Sequence, residues 1–160
     1  MKYFINLTIF ILLAFVHGNC AQPPRPNSDT LFSKRRETLL KFCEIINTNV
    51  RDTIALKQVV ITSQSNVDSL RQLGWALLFE QLEGIQKLGR IDTGKVVMEN
   101  YQTTVDKERF VAFYSEPDIL KDTYWVTLPT GVSKYFLFKG SQIYSFQVLK
   151  MGKRYIFLGY

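Results

Sequence analysis

The chain has 160 residues, a formal charge of +6, 46% hydrophobic and 21% charged side chains. That length and balance fit one folded globular domain and exclude a disordered chain. One histidine and two cysteines leave too few ligands for an ordinary zinc site and no disulfide framework.

The N-terminus reads as an export signal over residues 1–21. Met1-Lys2 supplies the positive start, Leu7 to Val16 the apolar run, and Gly18-Asn19-Cys20-Ala21 the small residues near a cleavage point. The run is too short, and too polar at Asn6 and Thr8, for a membrane span, and no later stretch is long enough. The expectation is a periplasmic or extracellular protein with no transmembrane segment in its mature chain. Cys20 stands where a lipoprotein carries its acylated cysteine, but Asn19 before it fits that signal poorly. Simple cleavage near Ala21-Gln22 is the favoured reading; acylation of Cys20 would instead anchor the protein to a membrane. No N-x-S/T site follows the leader, which favours a bacterial exported protein. The only histidine, His17, leaves with the leader, so the mature chain carries no imidazole.

Residues 22–28 form a proline-rich tether, because Pro23, Pro24 and Pro26 offer no backbone donors. A single domain is expected over 29–160. Ser28 or Asp29 caps a first helix, and Phe32, Leu39, Leu40, Phe42, Cys43 and Ile46 recur at three- and four-residue spacing to Asn47-Thr48-Asn49. Cys43 falls on that stripe and reads as a core residue. Ile54 to Thr62 is rich in β-branched residues and reads as a strand. Ser65 and Asp68 resemble a capping box opening a long helix marked by Leu70, Leu73, Leu77, Leu78, Leu82, Ile85 and Leu88, with Gly89 at its stop. Trp75 and Phe79 widen its apolar face, which suits a helix lying across a sheet.

From Lys95 onward the period shortens to that of strands. Val96–Met98, Phe110–Tyr114, Tyr124–Leu128, Tyr135–Phe138, Ile143–Val148 and Tyr155–Leu158 are expected strands, joined at Gly131, Gly140 and Gly152 by short links that suit antiparallel neighbours. Helices followed by an antiparallel sheet make a two-layer α+β domain. This element order resembles the NTF2-like and cystatin-like folds. The resemblance implies a curved sheet around a long helix, with a cone-shaped cavity.

Many NTF2-like enzymes use an Asp-His pair, and this chain has no histidine to carry it. Serine and cysteine triads fail for the same reason. No glycine-rich phosphate loop occurs. Paired carboxylates remain, Glu80 with Glu83 on the long helix and Asp106 with Glu108 before a strand, with solvated faces as their simpler explanation. The basic residues, Lys34-Arg35-Arg36 among them, read as solvated faces, and no basic-aromatic motif points to nucleic acid. Trp75, Tyr114, Trp125 and Tyr144 are the candidate ligand-binding aromatics. Together these features point to an exported domain that binds a small molecule or an envelope protein. No catalytic residue, metal site or cofactor is identified. The alternative is an NTF2-like hydrolase or isomerase using a buried carboxylate and a tyrosine.

Overall fold

The computed structural model describes residues 28–62, 67–101, 117–151 and 154–160. Helix α1 (Ser28–Thr48) follows its apolar spacing: Leu39, Phe42, Cys43 and Ile46 are buried, and Phe32 and Leu40 pack at the margin of the core. Its end is tied down by side chains. Asn47 Nδ2 donates to the Ile91 carbonyl and Ile91 N donates to Asn47 Oδ1, both at 2.8 Å. Gln86 Nε2 reaches the Ile46 carbonyl at 2.7 Å. These bonds occupy two carbonyls and a loop amide that burial would otherwise leave unpaired.

The segment expected as a strand over 54–62 is mainly helix α2 (Thr53–Val59). Asp52 decides the matter locally: its Oδ1 accepts from Ile54 N at 3.1 Å and Ala55 N at 2.9 Å, satisfying first-turn amides. Leu56 and Val59 then turn inward three residues apart. The β-branched tail is extended only afterwards, where Val60 makes an isolated parallel bridge to Ile143 and Ile61 N donates to the Ile143 carbonyl at 2.8 Å.

Helix α3 (Asp68–Gln86) begins with Val67 at the cap position and no side-chain cap; Ser65, the other half of the expected capping box, lies outside the described residues. Its leucines do not form one buried face. Leu78, Leu82 and Ile85 enter the core, while Leu70, Leu73 and Leu77 lie on a neighbouring face and are exposed. The helix packs against α1 and reaches the sheet through Gln81, whose Oε1 accepts from Lys134 Nζ at 3.2 Å. The helix that contacts α2, α3 and the sheet alike is α1. Gly89, just past the α3 terminus, has φ +114°, a conformation glycine adopts without strain.

After a 3-10 turn at Thr93–Lys95, an antiparallel sheet forms in the order β1 (Val97–Asn100), β2 (Thr123–Thr127), β3 (Ser133–Lys139), β4 (Gln142–Ser145). A short helix α4 (Pro117–Leu120) precedes β2. The expected strand Phe110–Tyr114 lies outside the described residues. The three longer helices precede the sheet in the chain, an order that fits an α+β domain.

The expected single strand Ile143–Val148 is two strands. It breaks at Phe146, and the chain continues as β5 (Gln147–Met151), which among the described residues pairs with β6 (Arg154–Leu158) and not with the four-stranded sheet. Simple alternation fails for the same reason, since Ile143, Ser145 and Phe146 are all buried. Phe146 at the break lies 5.2 Å from Phe42, 5.3 Å from Phe136 and 5.3 Å from Tyr160, ring centre to ring centre. Tyr160 closes that cluster and packs over Gly74 of α3, where an added Cβ would stand 2.9 Å from the Tyr160 carbonyl carbon.

Candidate functional site

One end of the four-stranded sheet carries a cleft of about 410 Å³, lined by Ile119, Lys121, Asp122, Leu137, Phe138, Lys139 and Tyr144. Three pieces of chain build it. The corner between α4 and β2 supplies Ile119, Lys121 and Asp122, and is held by Asp122 N donating to the Ile119 carbonyl at 3.1 Å and Thr123 Oγ1 donating to the same carbonyl at 2.8 Å. The end of β3 supplies Leu137 to Lys139, joined to that corner by Phe138 N donating to the Asp122 carbonyl at 2.9 Å.

The third piece is a β-bulge. Leu137 pairs with Ser145 but Phe138 pairs with Ile143, so Tyr144 is an extra residue on β4 with no partner in the register. A bulge re-aims the side chain it carries. Here that residue is Tyr144, which lines the cleft and whose hydroxyl end lies against the backbone at Gly159.

Behind this wall sits Arg35. The sequence places Lys34-Arg35-Arg36 on a solvated face, and for Arg35 the structure corrects this: only 3% of it is exposed. Its Nη2 donates to Asp122 Oδ1 at 2.6 Å, Nη1 to the Tyr124 hydroxyl at 3.1 Å and Nε to the Gly140 carbonyl at 2.8 Å. Its guanidinium carbon also lies 5.6 Å from the Tyr124 ring centre and 5.8 Å from that of Phe138. A buried guanidinium is tolerable because its charge is balanced and each of its three nitrogens donates a hydrogen bond. The result is a clamp from α1 onto both the β3–β4 turn, where Gly140 has φ +61°, and the α4–β2 corner. Asp122 therefore enters the cleft with one oxygen held and its charge offset by Arg35. Lys121 and Lys139 are exposed at the rim.

Of the expected ligand-binding aromatics among the described residues, Tyr144 is the one placed in this cleft. Trp125 lies on β2 against Tyr135, with ring centres 4.6 Å apart. Trp75 is on α3, stacked 5.5 Å from Phe79 and 6.0 Å from Lys57 Nζ. Tyr114 and Cys20 lie outside the described residues, as do Asp106 and Glu108. Glu80 is exposed, and Glu83 pairs with Arg51 at 2.7 Å on the surface. Cys43 is buried, and loss of hydration there pushes its thiol up to about 12, which disfavours the nucleophilic thiolate.

The sequence reading passes over Arg35, Lys121, Asp122 and Lys139. For Arg35 a signal is present: it stands three residues after Phe32 and four before Leu39, on the same stripe as the apolar residues. Among the described residues no group of three or more His, Cys, Asp or Glu side chains is gathered as metal ligands. Among them, too, no helix is long and apolar enough to cross a membrane. No family model matches the chain, and no curated protein or solved structure matches it either.

Proposed function

We propose that this chain is an exported binding domain that holds a small molecule in the cleft between the α4–β2 corner and the β4 bulge. The observation that carries the reading is the bulge itself, a sheet irregularity that falls at Tyr144 on the wall of a cleft of ligand size. The buried Arg35 clamp supports it, because it fixes two of the walls from behind without occupying the opening. The leader at residues 1–21 supports export, and mass measurement of the mature N-terminus tests it: a chain beginning at Gln22 agrees, whereas an acylated Cys20 means an anchored protein.

Binding is tested by screening a small-molecule library against the purified domain by ligand-observed NMR, with Tyr144→Ala as the control. Hits lost in that variant, at unchanged thermal stability, support the reading; hits indifferent to it refute it. A carboxylate–tyrosine enzyme is the second reading, favoured by Asp122 and Tyr144 lining one cleft. Arg35 holds Asp122 Oδ1, so in that reading Oδ2 is the oxygen that acts as the base.

A further inference from the structure

We propose that Lys134 is the reactive amine of this chain, a covalent site at which a small aldehyde condenses to an imine. The site stands apart from the cleft and does not depend on it. Lys134 lies on β3 opposite Val126 of β2, at a position that shares a sheet face with the buried Phe136. It is half-buried, whereas every other lysine whose side chain the structure describes is exposed. Two of those, Lys41 and Lys95, also pair with carboxylates.

The groups that meet this amine carry no counter-charge. From α3 comes Gln81, whose Oε1 accepts from Nζ at 3.2 Å. Of the acids near it on that helix, Glu83 is bound to Arg51 and Glu80 is exposed. From the break between β4 and β5 comes the Phe146 ring, its centre 5.9 Å from Nζ. Tyr160 packs on that ring, and burial raises its phenol, so it is neutral at pH 7. Among the described residues no carboxylate pairs with Nζ. An amide oxygen accepts from amine and ammonium alike, and the ring face favours the ammonium. Lost hydration favours the amine and prevails, holding Lys134 below the ordinary lysine range. The free amine is the nucleophile. Its nitrogen attacks the aldehyde carbon to form the N–C bond. The carbonyl oxygen then takes both protons of the nitrogen and leaves as water, giving the imine without oxidant or reductant.

The test exposes the whole mature domain to dilute propanal with an amine–borane reductant that traps each imine, and peptide mass mapping gives the rate at every lysine. At pH 7 Lys134 is expected to react about threefold faster than Lys34, Lys87 and Lys139, since lower basicity frees more amine while weakening it as a nucleophile. At pH 10 the exposed amines are themselves partly free, and the lead shrinks. Gln81→Glu sets a carboxylate beside Nζ, holds the ammonium, and abolishes the lead at pH 7. Equal rates at pH 7 overturn the proposal. So does a lead undiminished at pH 10 or in Gln81→Glu, because it would report access to the reagent and not a freed amine. If a thermal melt shows that Gln81→Glu does not fold, the comparison of pH 7 with pH 10 on the unaltered chain decides alone.

Discussion

Replacing Arg35 by methionine removes a buried cation and leaves its partners behind. Asp122 Oδ1 loses a 2.6 Å charge-assisted bond, and the Tyr124 hydroxyl and the Gly140 carbonyl lose donors at 3.1 and 2.8 Å. Breaking a fully buried pair from one side costs about 3–5 kcal/mol. Asp122 keeps 28% of its side chain in contact with solvent, so it can recover part of its hydration, and the lower end of that range, about 3 kcal/mol, is expected. Urea unfolding followed by tryptophan fluorescence measures the loss as a lower midpoint at constant slope. Arg36→Met, one residue along on the exposed face, serves as the control, with an expected change within about 0.5 kcal/mol. Removing both charges as Arg35→Met/Asp122→Leu restores most of the stability, since no stranded carboxylate remains. A loss below about 1 kcal/mol in Arg35→Met, or equal effects at positions 35 and 36, would refute the clamp.

Three further outcomes follow from the packing. Gly74→Ala forces its new Cβ to within 2.9 Å of the Tyr160 carbonyl carbon and is expected to destabilise by about 1–3 kcal/mol, whereas Gly84→Ala on the same helix, with open space around it, is expected to stabilise by about 0.5–1 kcal/mol; paired thermal melts check both signs. Asp52→Ala removes the acceptor for Ile54 N and Ala55 N and is expected to cost about 1 kcal/mol, with faster amide exchange over α2 as the local readout. Cys43 is raised by burial from 9.0 to about 12 in the folded chain, so above pH 9 the unfolded state releases a proton that the folded state keeps. Stability therefore falls as pH rises from 9 towards 12, by about 1.4 kcal/mol per pH unit from this group. Burial raises the Tyr160 phenol too and steepens the fall above pH 10. Cys43→Ala is expected to flatten the slope between pH 9 and 10 whatever its overall stability, and an unchanged slope would contradict the assignment.

The α+β class is legible in the order of periodicities, and α1 in the spacing of Phe32, Leu39, Phe42, Cys43 and Ile46, because a helix buried along one stripe writes that stripe into the chain. Less legible are features set by competition between local and distant contacts. At Thr53–Val59 the β-branched run argues for a strand, but one aspartate cap and the inward turn of Leu56 and Val59 prevail. On α3 seven apolar residues read as one face, although Leu70, Leu73 and Leu77 lie on a different face from Leu78, Leu82 and Ile85; a leucine count does not separate two faces that the angular positions do. The bulge at Tyr144 and the change of sheet at Phe146 depend on which strand lies alongside, and nothing local to Ile143–Val148 announces either. Of the candidate site, Tyr144 is foreseen as an aromatic on a strand. Arg35 is hidden because a cation on an apolar stripe reads as a surface residue until its partners at Asp122, Tyr124 and Gly140, far along the chain, are brought to it.

A nitrogen-15 chemical-shift titration of the mature domain with the tightest hit of the small-molecule screen decides whether the cleft is where this protein works. Shifts gathered at Asp122, at Leu137 to Lys139 and at Tyr144 are predicted, and they vanish in Tyr144→Ala. Shifts gathered instead along Leu70, Leu73 and Leu77 of α3, with the cleft resonances still, would contradict it.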